Sequence, residues 1–149
     1  MDNFTDLLRE LGAIVNVPLH PDKHGVCKVM IDRKFSIQIE YDPMKNRLLF
    51  LSFITEIPPG KFRENVLKEA LKANGVFPRT GTLGLAERTN QLTLHDYYYL
   101  IEVKADKLAD YLTSFIEKVN FWKTQIESGN VPSVVTTSSK NRPPPFLKL

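Results

Sequence analysis

The chain has 149 residues, 42% of them hydrophobic and 25% charged, with a single cysteine. That composition fits one globular domain with its own core and excludes a collagen-like repeat, a disordered low-complexity chain and a disulfide scaffold. Lys and Arg number 20 against 17 Asp and Glu, but Lys140, Arg142 and Lys148 lie near the end, where no acid accompanies them. The body is therefore balanced and lacks the concentrated basic charge of a nucleic-acid binder.

Residues 2–12 read as a helix. Phe4, Leu7, Leu8 and Leu11 form one stripe at i, i+3, i+4 and i+7, with Asn3 as its cap and Gly12 as its stop. Residues 16–25, with Pro18, Pro21 and Gly25, read as a loop. Cys27, Val29 and Ile31 then alternate with polar neighbours and Met30, and Phe35, Ile37, Ile39 and Tyr41 alternate with Ser36, Gln38 and Glu40. The pattern predicts two strands, each with one buried and one wet face, joined by a hairpin at Asp32-Arg33-Lys34. A third strand over 47–55 is apolar on both sides: Leu49, Leu51 and Phe53 face one way, Leu48, Phe50 and Ile54 the other. Such a strand is either covered twice or offers one face to a partner.

Beyond Pro58-Pro59-Gly60, a helix over 61–73 carries Phe62, Val66, Leu67, Ala70, Leu71 and Ala73, a wider apolar set than one sheet-facing stripe needs. Strands over 82–87 and 91–103 follow, turning at Arg88-Thr89-Asn90, and a change of apolar parity predicts a bulge near His95-Asp96. The last helix, capped by Asp106, shows a continuous face from Leu108 through Phe115 to Ile126 before Gly129 and Pro132. Tight turns between strand neighbours make the fold class α+β: helix, three strands, helix, two strands, helix on an antiparallel twisted sheet. The expected organisation is a domain over 1–128 and a flexible Ser/Pro-rich basic tail over 129–149.

Chemistry-bearing motifs are sparse. His20, Asp22, His24 and Cys27 have a spacing that suits one metal ion, but they also read as a polar loop entering a strand whose first inward residue is Cys27. There is no Gly-x-Ser-x-Gly elbow, and the glycines from Gly75 to Gly84 lack the Gly-Lys-Ser/Thr ending of a phosphate loop. Tyr97, Tyr98 and Tyr99 lack the interleaved basic residues of a base-stacking platform. The start, Met1-Asp2-Asn3-Phe4, is not a basic-then-apolar leader, and no apolar run approaches the ~20 residues of a membrane span. The expectation is a cytoplasmic protein without membrane insertion, cofactor, metal or catalytic residue, whose surplus apolar surface binds partners.

Certain residues, in this order, resemble the class I type III secretion chaperones, the Tir chaperone family. They are Phe4-Thr5-Asp6-Leu7-Leu8, Ala70-Leu71-Lys72-Ala73-Asn74, Gly81-Thr82-Leu83-Gly84-Leu85, Leu92-Thr93-Leu94, and a last helix with Leu112, Phe115 and Trp122. The resemblance covers about residues 2–127. It implies a bacterial, cytosolic, non-enzymatic homodimer that binds the N-terminal segment of a secreted effector in extended form and keeps it competent for the secretion ATPase. Combined with the apolar pattern, it assigns effector binding to Phe4, Leu7, Leu8, Leu11, Met30, Leu48, Phe50 and Ile54. It assigns the dimer interface to Val66, Leu67, Ala70, Leu71, Leu83 and Leu85. The alternative is an adaptor or regulator of the same fold that binds a folded partner. The near-neutral body, the basic tail and the His95-Asp96-Tyr97-Tyr98-Tyr99 stretch depart from the family pattern.

Overall fold

The structure, a computed structural model, describes residues 3–101 and 104–133. Its elements are α1 (Asn3–Val15), β1 (Val26–Ile31), β2 (Phe35–Asp42), β3 (Arg47–Glu56), α2 (Lys61–Asn74), β4 (Thr82–Ala86), β5 (Gln91–Tyr99) and α3 (Ala105–Glu127). The strands form one antiparallel sheet in the order β1-β2-β3-β5-β4. The expected α+β architecture and element order are those observed. Residues 134–149 of the expected tail lie outside the described residues, as do 102–103 of the expected fifth strand.

Local chemistry explains the turns. Asp32 and Arg33 both take left-handed backbone (φ 50° and 58°), the pattern of a type I′ hairpin, and the Lys34 N–H closes on the Ile31 carbonyl at 2.9 Å. Asn46 and Asn90 take the same region in the next two turns, where an Asn side chain tolerates it best. Gly12 does not end α1. The helix runs three residues further and stops at Asn16 (φ 59°), with the Val17 N–H returning to the Gly12 carbonyl at 3.0 Å, a Schellman closure. Glycine is required there because a Cβ would sit 2.6 Å from the Val17 oxygen. At the head of α3 the N-cap is Lys104, and Asp106, expected as the cap, sits in the first turn.

The strand alternation buries one face of the sheet. Cys27 and Val29 of β1, Phe35, Ile37 and Ile39 of β2, Leu48, Phe50 and Ile54 of β3, and Leu92 and Leu94 of β5 are all buried. Cross-strand partners such as Cys27–Ile39 and Ile39–Phe50 lie side by side on it. The helix α3 covers the centre of this face, with the rings of Phe50 and Phe115 5.8 Å apart and those of Tyr98 and Tyr111 4.8 Å apart. The helix α1 packs against α3, and Phe4 stacks on Tyr41. Leu8 and Leu11 are sealed beneath it.

The register of β5 differs from expectation. It is continuous through His95 and Asp96, and the irregularity falls in β3 between Phe53 and Thr55. Asp96 thus keeps the core-facing parity of Leu94 and Tyr98. It accepts hydrogen bonds there from the Gly81 N–H (3.1 Å) and the Tyr111 hydroxyl, so a carboxyl on the inner face joins the β4 lead-in to α3 without stranding a polar group. Gly81 (φ 74°) approaches β5 so closely that a Cβ would lie 2.8 Å from Leu94 Cδ1.

Two expectations follow. Phe50→Ala should cost about 3–5 kcal/mol of unfolding free energy in urea titration, whereas Met30→Ala, on the exposed face, should stay within about 0.5 kcal/mol. Burial, and then the Asp96 hydrogen bond, push the Tyr111 hydroxyl above the ordinary tyrosine range. A raised folded pKa means that this pair's stability contribution is complete below about pH 10 and declines as pH rises beyond it. At pH 11 the folded wild type and Tyr111→Phe should therefore show equal tyrosinate absorbance. After unfolding, the wild type should gain the absorbance of one more tyrosinate.

Candidate functional site

The alternation that fills the core leaves the opposite sheet face to Lys28 and Met30 of β1, Gln38 and Glu40 of β2, Leu49, Leu51 and Phe53 of β3, and His95, Tyr97 and Tyr99 of β5. All are half-buried or exposed, and Met30 is 60% exposed. One end of the face is rigidified by Arg47. Its guanidinium lies 3.7 Å from the Tyr97 ring centroid, donates to the Tyr99 hydroxyl at 3.1 Å and pairs with Asp42 at 3.0 Å. On β3, Leu49, Leu51 and Phe53 form an apolar strip next to the braced aromatic pair of β5, while Met30 stands on β1 across the polar outward residues Ser36, Gln38 and Glu40 of β2.

Both sheet edges carry a side-chain cap at one residue. On β1, the Asp22 side chain accepts the Val26 N–H at 3.0 Å, while the Asp22 N–H donates to the Val26 carbonyl at 2.9 Å. Antiparallel alternation turns the backbone groups of Lys28 and Met30 in the same outward direction. On β4, the Asn74 carboxamide bridges both backbone groups of Leu83 at 2.9 Å.

Two grooves flank the helices. One, of about 470 Å³, runs beside α1 and is lined by Asn3, Phe4, Asp6, Leu7, Glu10, Tyr41, Asn46 and Leu100. The other, of about 400 Å³, lies between the end of α2 and α3; Ala73, Val76, Pro78, Phe121 and Trp122 form its apolar walls, and Arg79 and Lys118 are its cations.

Several sequence-derived assignments move. Of the residues expected on an effector surface, Leu48, Phe50 and Ile54 point inward, because α1 and α3 cover that side of β3, and Leu8 and Leu11 are equally enclosed. Phe4 is buried as well, although it and the half-buried Leu7 line the α1 groove, and Met30 is open. The outward residues of β3 are Leu49, Leu51 and Phe53, which the alternation identified as a face but whose side only the helix packing decides. Of the expected dimer residues, Val66, Ala70 and Leu83 are buried within the single chain, Leu67 and Leu85 are half-buried, and Leu71 is 72% exposed. The aromatic pair Tyr97 and Tyr99 belongs to the bare face, with their parity after Leu94 as the sequence signal.

The His20–Cys27 stretch is a loop built on Asp22. The Val26 and His24 N–H groups hold the Asp22 carboxyl below the usual range. Cys27 is buried, which pushes its thiol up and away from nucleophilic use. Among the described residues, no three His, Cys, Asp or Glu side chains are grouped to hold a metal ion, and no helix is long and apolar enough to cross a membrane.

This arrangement of helices and sheet has known counterparts. The chain is similar in fold to a chain of the HopA1–SchA chaperone–effector complex, with 21% identity over 81% of this chain and 93% of that one and a TM-score of 0.66. It is also similar to one in the Yersinia pestis type III secretion chaperone SycH in complex with a stable fragment of YscM2, with 17% identity, 80% and 98% coverage and a TM-score of 0.60. A third likeness is to the ExsC–ExsE complex, with 17% identity, 83% and 96% coverage and a TM-score of 0.63. No curated protein matches it in sequence. The family model of the Tir chaperone protein (CesT) family matches residues 6–123, from within the first helix to Lys123 of the last, and the chain belongs to that family.

Proposed function

We propose that this chain is a non-enzymatic secretion chaperone that binds the N-terminal segment of a type III effector in extended form. The observation that carries the reading is the bare sheet face, where Met30, Phe53, Tyr97 and Tyr99 stay exposed on strands whose other side packs into the core. An unfolded cargo segment exposes apolar side chains that aggregate, and a wide shallow apolar face sequesters them. The backbone groups of Lys28 and Met30 offer a second means of attachment, since an extended segment adds to a free strand edge through main-chain hydrogen bonds independent of its sequence. The α1 groove beside Leu7 gives a third contact, and wrapping a large area offsets the ordering entropy of a disordered partner. Family membership, and the chaperone–effector complex among the similar structures, support the same reading.

The chaperone acts as a cytoplasmic homodimer and hands its cargo to the secretion ATPase. Leu71, exposed on α2, and the half-buried Leu67 and Leu85 nearby support a contact between copies through α2 and β4. Val66, Ala70 and Leu83 support that contact from beneath rather than by touching a partner.

Co-expression with a candidate effector tests both parts. The expected complex has two copies of this chain per effector and a protease-protected effector N-terminus, and the Lys28 and Met30 amides gain exchange protection. The double variant Met30→Ser, Phe53→Ser should weaken the complex at least tenfold, while its unfolding free energy stays within about 1 kcal/mol of wild type. A partner held only through its folded domain, with its N-terminus still cleaved, would favour the adaptor reading instead.

A further inference from the structure

The groove between α2 and α3 lies away from the bare sheet face, and its polar end has unmatched donors. Arg79 spends Nε on the Gly81 carbonyl (3.2 Å) and Nη2 on the Thr82 hydroxyl (3.4 Å), and its Cζ stands 4.4 Å from the Phe77 ring centroid. Its Nη1 is buried and has no hydrogen-bond partner among the described residues. Buried guanidinium N–H groups are costly to leave unsatisfied and are almost always paired. Lys118, on the facing side, donates to the Thr80 carbonyl at 2.8 Å, which occupies one of its three N–H groups. Burial, and then the charge of Arg79, push its amine down from the ordinary lysine range, with Asp96 acting in the opposite direction. Asp96 does not neutralise the pair through hydrogen bonds, because its side chain is engaged by Gly81 and Tyr111. Glu117 is the one acid lining the groove, and it is exposed.

We propose that this groove binds a peptide segment of a protein partner in which a carboxylate side chain is flanked by apolar residues: the carboxylate pairs with Arg79 and Lys118, and the apolar neighbours rest on Val76, Pro78 and Phe121. Charge selects this occupant over the chain's own 134–149 segment, which contains Lys140, Arg142 and Lys148 and no acidic side chain. The described hydrogen bonds of Arg79 and Lys118 go to carbonyls and a hydroxyl, so two cations stand together at one end of the groove; such a pair matches a carboxylate, and partial burial strengthens the pairing relative to water. The inference stands whether or not the sheet face binds an effector, because the two surfaces share no residue.

Trp122 is the chain's single tryptophan and lines the groove, so its fluorescence reports occupancy directly. The probes are acetyl-Gly-Leu-Asp-Leu-Gly-amide and its Asn counterpart, titrated into the full chain at low and at high salt. The Asp peptide should shift Trp122 emission and bind at least tenfold tighter than the Asn peptide, with the preference shrinking at high salt. Arg79→Gln should bring the ratio close to one. Phe121→Ser, at the exposed rim, should weaken both peptides and preserve the ratio, so the proposal remains testable even if Arg79→Gln fails to fold. Equal affinity of the two peptides would overturn it. So would a Trp122 spectrum unmoved by millimolar peptide. An Arg79→Gln effect on mass in solution instead of on peptide affinity would overturn it in favour of a second copy.

Discussion

A sheet has two faces, and this chain folds its helices over one of them. Every second residue of β1, β2, β3 and β5 goes beneath α1 and α3, and its neighbour in sequence must then face away. The outward set of β3 is nevertheless apolar: Leu49, Leu51 and Phe53 follow one another on that side. Leu49 and Leu51 are half-buried within the chain and Phe53 is exposed, and under the proposed function a partner would cover the rest of this side. The same constraint limits where a partner can act. Removing α3 to expose Phe50 and Phe115 would dismantle the core, whereas Met30, Tyr97 and Tyr99 are reachable with the fold intact.

Polar side chains fix the remaining geometry. Asp96 holds the β4 lead-in and α3 to one point of β5, and Gly81 is the residue that lets the β4 lead-in come that close. Arg47 orders Tyr97 and Tyr99, which would otherwise be mobile aromatic side chains, by stacking on one ring and bonding the hydroxyl of the other. A surface held in place before binding loses less side-chain entropy when a partner arrives. The aromatic end of the face is therefore suited to give a fixed contact, and the Met30 end, with a flexible thioether, an adaptable one.

Much of this was legible in the residues. Period-two alternation located β1, β2 and their hairpin, and the long stripe from Leu108 to Ile126 located α3, because each pattern repeats over enough residues to exclude its rival. The failures share a cause: they turn on tertiary contacts that leave no local mark. Gly12 looks like a stop, yet it is a glycine because the Val17 backbone passes against it. Asp96 interrupts an apolar run and so imitates a bulge, whereas it keeps its register and finds partners in Gly81 and Tyr111, fifteen residues away on either side. The two faces of β3 are both apolar, so alternation separates Leu48 from Leu49 without saying which one the helices cover. Likewise the width of the α2 stripe was visible, but assigning Val66 to the core and Leu71 to the surface needs the position of β4.

The two sheet edges make opposite uses of the same device. A free strand edge invites pairing, and natural sheets blunt it. On β4, Asn74 at the end of α2 occupies both backbone groups of Leu83, and the strand is only five residues long, so little of that edge is left for another chain. On β1, Asp22 occupies Val26 alone at the first position of a six-residue strand, and among the described residues none bonds the outward groups of Lys28 and Met30. An extended segment that reached the molecule would therefore align along β1, next to the exposed Met30, and not along β4. Copies of the chain meeting near β4 would do so through side chains such as Leu71, because the backbone there is already partly engaged. Under the proposed function, the edge caps would thus keep the place for an extended guest apart from the place for a second subunit.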